Sequence, residues 1–180
     1  MKKLFLLILI CSNLFCSDLA EDLKNLNYNQ RYILVKTFFD SKEFYKSKND
    51  RLLLTAIAWK ESNFGEKLVS KTQDYGTFQI NINSFNSRFG SEIKAAGLST
   101  YTKDLLKNNH RVGMMAAVAE LNFWKEKYKT DLDKVVASYN DGTNISNIGK
   151  EYSADIRKRM IILDSYLKTA QSNIKLTKNS

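Results

Sequence analysis

Apolar residues recur at helical spacing along most of the chain. Between residues 18 and 47, Leu19, Leu23, Leu26, Ile33, Leu34 and Phe38 fit one or two amphipathic helices. A denser run follows, with Leu52, Leu53, Leu54, Ile57, Ala58 and Trp59 preceded by the candidate caps Asn49 and Asp50. Asn63 and Gly65 stop it. From 66 to 90 the pattern changes: Phe78-Gln79-Ile80-Asn81-Ile82 alternates between Gly76 and Gly90, which predicts a short β-hairpin or an irregular loop. Helical spacing resumes with Met114, Val118, Leu121 and Trp124. It continues through Leu132, Val135, Val136 and Tyr139 and breaks at Asn140-Asp141-Gly142. A last helix carries Ile156, Met160, Leu163 and Leu167, and the polar residues from Thr169 onward are expected to fray. The pattern predicts a mainly α fold with one small β excursion.

The first residues do not belong to that pattern. Lys2 and Lys3 precede an unbroken apolar run, Leu4 to Ile10, and polar residues follow at Ser12, Asn13, Ser17 and Asp18. This order predicts a cleaved secretory signal over residues 1–16, since the run is too short to span a bilayer. The expected location is the periplasm or another exported site. Both cysteines, Cys11 and Cys16, lie inside the segment, so the mature chain would hold neither disulfide nor thiol chemistry. Ile10 and Phe15, each just before a cysteine, disfavour a lipid anchor. About 160 residues remain, enough for one domain. We expect an N-terminal helical segment (17–47) packed on a catalytic unit (48–168), followed by a polar tail (169–180). The formal charge of +9 becomes +7 without Lys2 and Lys3. Cell-wall polymer or a membrane surface suits an exported basic protein, whereas the scattered lysines give no positive sign of nucleic-acid binding.

Glu61 is the first candidate for chemistry. Leu54, Ile57, Ala58 and Glu61 fall at i, i+3, i+4 and i+7, which sets a carboxylate on an apolar stripe. Desolvation there raises a carboxyl pKa and suits a general acid working near neutral pH. On position alone, a salt-bridged glutamate at a helix end fits as well. The single histidine, His110, has no cysteine or histidine cluster beside it, so a metal site is not expected. Trp59, Trp124, Met114 and Met115 read as core.

Three short segments extend the case. Glu61-Ser62-Asn63-Phe64-Gly65, then Asp74-Tyr75-Gly76-Thr77-Phe78-Gln79-Ile80-Asn81, then Ala137-Ser138-Tyr139-Asn140-Asp141-Gly142 stand in this order. Together they resemble the ordered motifs of the lytic transglycosylase domain: a Glu-Ser pair, a Gly-x-x-Gln segment and an Ala-Tyr-Asn-x-Gly turn. The resemblance spans roughly residues 48 to 167. It implies a goose-lysozyme-like α domain that cleaves peptidoglycan between N-acetylmuramic acid and N-acetylglucosamine, without a cofactor. Glu61 would be the single acid/base, and the product would end in a 1,6-anhydro ring. The resemblance places Ser62 beside the substrate, Gln79 against an acetamido group, and Tyr139 and Asn140 in the Tyr-Asn pair. Tyr139 is expected to pack its ring inward and bring its hydroxyl toward Glu61. Phe78 stands where the family often has methionine and would offer an aromatic sugar-binding wall. Tyr152 loosely matches a tyrosine near the start of the family's last helix. Asp74 opens an alternative, because Asp-Tyr-Gly also resembles animal-type lysozymes, whose aspartate is the second carboxylate of a hydrolase. A wall-binding protein of the same fold without turnover is a third reading. The expected partner is the glycan strand, met by a monomer, with an envelope-spanning assembly as a further partner by analogy.

Overall fold

A computed structural model describes residues 18–95, 103–129 and 131–178; the expected signal segment lies outside them. In chain order come α1 (18–24), α2 (Tyr28–Asp40), a 3-10 turn (Ser41–Glu43) and α3 (Lys48–Ser62). The two short strands β1 (Asp74–Tyr75) and β2 (Ile80–Asn81) follow. Then come α4 (Ile82–Ala95), α5 (Lys103–Asn108), α6 (His110–Tyr128), α7 (Leu132–Asp141) and α8 (Asn147–Lys178). The domain is mainly α, lysozyme-like in its content, with one small antiparallel excursion.

Its centre is α3. Every residue from Leu52 to Trp59 is buried, so this helix is enclosed on all sides rather than along one stripe. It packs against α2 on one side and α8 on another, while α7 is wedged between α6 and α8. The helix starts after Ser47, earlier than Asn49 and Asp50 suggest, and Asp50 instead pairs with Lys125 of α6 at 2.7 Å. It ends as expected. Asn63, Phe64 and Gly65 have φ of 49°, 57° and 86°, and this left-handed run turns the chain sharply. Phe64 folds back under the turn, 1% exposed, with its ring stacked on Trp59 at 6.0 Å.

The hairpin is shorter than the sequence pattern suggests. Asp74 pairs with Asn81 and Tyr75 with Ile80, and there the strands end. Residues 82–90, expected to be hairpin or loop, are helical in α4. Asn81 explains the switch: its Oδ1 accepts from the Ser84 amide at 3.0 Å and caps the helix. Ile82, Phe85 and Phe89 then lie along one face, against the core. The tail departs from expectation too. Helix α8 runs to Lys178, because neither glycine nor proline follows Gly149 to break it. Trp59, Trp124 and Met114 are buried core residues, whereas Met115 is 41% exposed.

His110 supports the excursion from beneath. Its Nε2 lies 3.2 Å from the Thr37 hydroxyl of α2, and its Nδ1 lies 3.3 Å from the Thr77 hydroxyl. Its ring packs on Phe78. Burial lowers its pKa to about 4, so the imidazole is neutral and serves as a wedge between α2 and the turn.

Candidate active site

Glu61 occupies the last turn of α3, where the buried helix emerges into a cleft of about 430 Å³. Thr72, Asp74, Gln79, Asn81 and the α7 end from Ser138 to Gly142 line the cleft with it. Burial pushes the Glu61 carboxyl up to about 7, and the nearby negative charge of Asp74 adds to the rise. The negative end of the α3 dipole acts in the same direction. Tyr152 of α8 opposes them: its hydroxyl donates to Glu61 Oε1 at 2.5 Å. Tyr152 is itself 6% exposed, so this bond forms inside the protein and fixes the carboxyl at the cleft wall.

Tyr152, not Tyr139, is therefore the tyrosine bonded to Glu61. The Tyr139 hydroxyl donates to the Phe78 carbonyl at 2.9 Å, and this ties the end of α7 to the turn before β2. Tyr139 still lines the cleft, and the Glu61 charge reaches it. Asn140, one residue on, is exposed at the rim.

Ser62 and Phe78 take other roles than a sugar contact. The Ser62 side chain is 1% exposed. Its hydroxyl donates to the Thr77 carbonyl at 2.7 Å and accepts from the Gly65 amide at 2.8 Å. It thus clamps the turn after Glu61 onto the β excursion and does not reach the cleft. The Phe78 ring is wholly buried against His110, so it is core and forms no aromatic wall. For Phe78 the reason is that in an excursion this short alternate side chains must fill the space beneath it, against α6. Gln79, next in line, points the other way and lines the cleft. Its backbone is left-handed, φ 46°, and its Nε2 donates to the carbonyls of Gly76 at 2.7 Å and Lys67 at 3.1 Å. With the amide nitrogen so engaged, Oε1 is the atom left to accept from a ligand. A left-handed glutamine at a cleft is strain held by its surroundings.

Asp74 shares the cleft with Glu61, but a network holds its carboxylate. Oδ1 accepts from Asn81 Nδ2 at 2.8 Å, and Oδ2 accepts from the hydroxyls of Ser70 at 2.9 Å and Thr72 at 2.5 Å. Arg88 of α4 and Glu120 of α6, an ion pair, also line the cleft. Neither was singled out from the sequence, although Ala116, Glu120 and Trp124 at four-residue steps put a carboxylate on an apolar stripe, the signal that marks Glu61.

A pH profile tests the Tyr152 bond. The bond favours the ionised Glu61, so Tyr152→Phe raises the carboxyl pKa further. The alkaline limb of any reaction in which Glu61 serves as the acid is expected to move to higher pH as the maximal rate falls. An unmoved limb would show that Tyr152 does not act on the ionised carboxylate.

Three comparisons bear on these features. The sequence profile described as "Transglycosylase SLT domain" matches residues 40–161. The chain is also similar to the "uncharacterized 20.7 kDa protein in vs-regB intergenic region" of Enterobacteria phage T4, 28% identical over 111 residues. That similarity covers 59% of this chain and 59% of the phage protein. No solved structure matches. The profile covers most of the chain, and it takes in Glu61, Gln79, Tyr139 and Tyr152. The chain belongs to the transglycosylase SLT domain family.

Proposed function

We propose that this chain is a lytic transglycosylase that cleaves the β-1,4 bond between N-acetylmuramic acid and N-acetylglucosamine, with Glu61 as its single acid/base. The observation that carries the reading is a cleft carboxyl raised to about 7 by burial and fixed by Tyr152. Protonated Glu61 gives its proton to the glycosidic oxygen as the bond from muramic C1 breaks. The carboxylate then takes the proton of the C6 hydroxyl on the same muramic ring. O6 closes on C1, and a 1,6-anhydro sugar leaves. The proton returns to Glu61, so the cycle balances without water. A neutral-range pKa serves both halves, because the acid and the base form are then both accessible. On this reading the chain acts on glycan strands outside the cytoplasm, exported by residues 1–16.

Asp74 supports the second reading, a hydrolase, because it faces the same cleft and its charge reaches Glu61. Its own geometry favours the first. Three side-chain donors occupy the Asp74 carboxylate, and a nucleophile or water-activating base would have to give up part of that network. Mass spectrometry of digested peptidoglycan separates the two, since an anhydro end is one water lighter than a reducing end. Anhydro ends are expected, with Asp74→Asn keeping the product and most of the rate. Reducing ends from the wild type, with a folded but inactive Asp74→Asn, would overturn the assignment. Binding of wall without any product would leave the non-catalytic reading.

A further inference from the structure

The α4–α6 end of the cleft holds a charge pair that the chemistry at Glu61 does not use. Arg88 and Glu120 are joined there, their side chains 23% and 12% exposed, and both line the cleft. The guanidinium lies 4.7 Å from the Phe123 ring centroid and 4.9 Å from that of Trp124. Trp124 also hydrogen-bonds Glu120. Aromatic faces thus hold the pair nearly rigid. Such a pair adds little to folding, since apolar side chains of similar volume would serve as well. It does offer a fixed donor beside a fixed acceptor. Glu120 engages Nη1 of a fork that carries five N–H groups. Ser138 adds a third group: it lines the same cleft, is 1% exposed, and its hydroxyl has no partner among the described residues. Buried polar atoms of this kind are normally satisfied, and a ligand oxygen would satisfy this one once the hydroxyl, shielded as it stands, rotates toward the cleft.

Charge decides which ligand. Among the described residues the cleft is lined by the acids Glu61, Asp74, Glu120 and Asp141 against the one base Arg88, although the whole chain is strongly basic. A carboxylate-bearing ligand would meet Glu120 beside Arg88, whose charge is already neutralised. An uncharged ring with neighbouring hydroxyls suits the pair, one oxygen accepting from Arg88 and the next hydroxyl donating to Glu120.

We propose that Arg88 and Glu120, with Ser138, form a second binding point of the cleft, one that holds an uncharged pyranose ring of the strand away from the bond being broken. This rests on the reading of the cleft as a glycan site. Calorimetric titration of the full chain with chitohexaose, a neutral N-acetylglucosamine oligomer, measures binding without requiring turnover. Arg88→Lys keeps the charge beside Glu120 and loses the planar fork; Glu120→Gln keeps the shape and loses the anion. Each is expected to weaken chitohexaose about ten- to hundredfold; the melting curve is little changed in Arg88→Lys, which keeps the pair, and lowered in Glu120→Gln, which leaves Arg88 without its anion. In wall digestion the loss should fall in KM rather than kcat. Wild-type affinity in both folded variants would overturn the proposal. So would tighter wild-type binding of an anionic galacturonate oligomer than of chitohexaose, which would make the pair a carboxylate receptor. Chitohexaose binding that depends on Arg88, in a chain that releases no wall product, would refute the proposed activity and leave this site standing. Anhydro products with affinity and KM indifferent to Arg88→Lys would do the reverse.

Discussion

Glu61→Gln is expected to abolish wall lysis and, above neutral pH, to make the protein more stable. General acid catalysis supplies about 10² to 10⁴-fold, and the amide can neither give nor take the proton. The fold should survive, since glutamine has the same shape and its carbonyl still accepts from Tyr152. The stability gain follows from the direction of the pKa shift. Burial raises the Glu61 carboxyl to about 7, above its ordinary value of 4.5, so the native state holds this proton more tightly than the unfolded chain does. Below pH 4.5 both states are protonated, and ionisation costs nothing. As pH rises to 7 the unfolded chain ionises freely and the native state resists, and stability falls by on the order of 3 kcal/mol. Glutamine removes that penalty. Melting curves of both proteins at pH 4 and pH 8 should therefore agree at the lower pH and separate at the higher, with the variant above. A folded variant that still lyses wall would remove Glu61 from the mechanism. Curves that separate equally at both pH values would show that its carboxyl is not raised.

Gly76→Ala is expected to be the most damaging small substitution in the β excursion. Gly76 has φ +80°, and an added Cβ would lie 2.2 Å from the Leu106 carbonyl oxygen of α5. That obstacle is backbone and cannot rotate away, so α5 or the turn must move. Left-handed strain of about 1 kcal/mol adds to overpacking of about 1 to 3 kcal/mol. For a domain of this size the total lowers Tm by about 10 °C. Gly142→Ala separates the two contributions, because Gly142 has φ +73° with nothing within 4 Å of an added Cβ. It should show the strain alone. A Gly76→Ala variant that melts with the wild type would show that α5 does not pack on the turn. Because Gly76 lies between Asp74 and Gln79, its variant should also lose lysis at temperatures where it remains folded.

Much of the domain was legible in the order of its side chains. Helix ends set by local chemistry are legible at Asn63 and at Gly142, each a residue whose own conformation ends a helix. The start of α4 is less legible, because one residue serves both a strand and a helix there. Asn81 closes the alternating strand, and its side chain also caps a helix whose apolar face is Ile82, Phe85 and Phe89. Site residues divide in the same way. Glu61 was visible because a carboxylate among apolar neighbours is anomalous within a single helix. The separate tasks of Ser62, Phe78 and Gln79 were not, because they depend on how the end of α3 meets a turn of four residues and on which way each side chain of that turn faces.

The sequence by itself determined a mainly α domain, a central apolar helix ending in Glu61, and the motifs that mark the family. Helical periodicity and end signals act within a few residues of one another, and a single chain displays them in full. Tertiary structure alone decided that Tyr152 rather than Tyr139 holds the acid, that Ser62 and Phe78 are structural, and that Arg88 meets Glu120 in the cleft. Those pairings join residues 91, 61, 15 and 32 positions apart, and only the packing of α3, α4, α6, α7 and α8 against one another brings them within bonding distance.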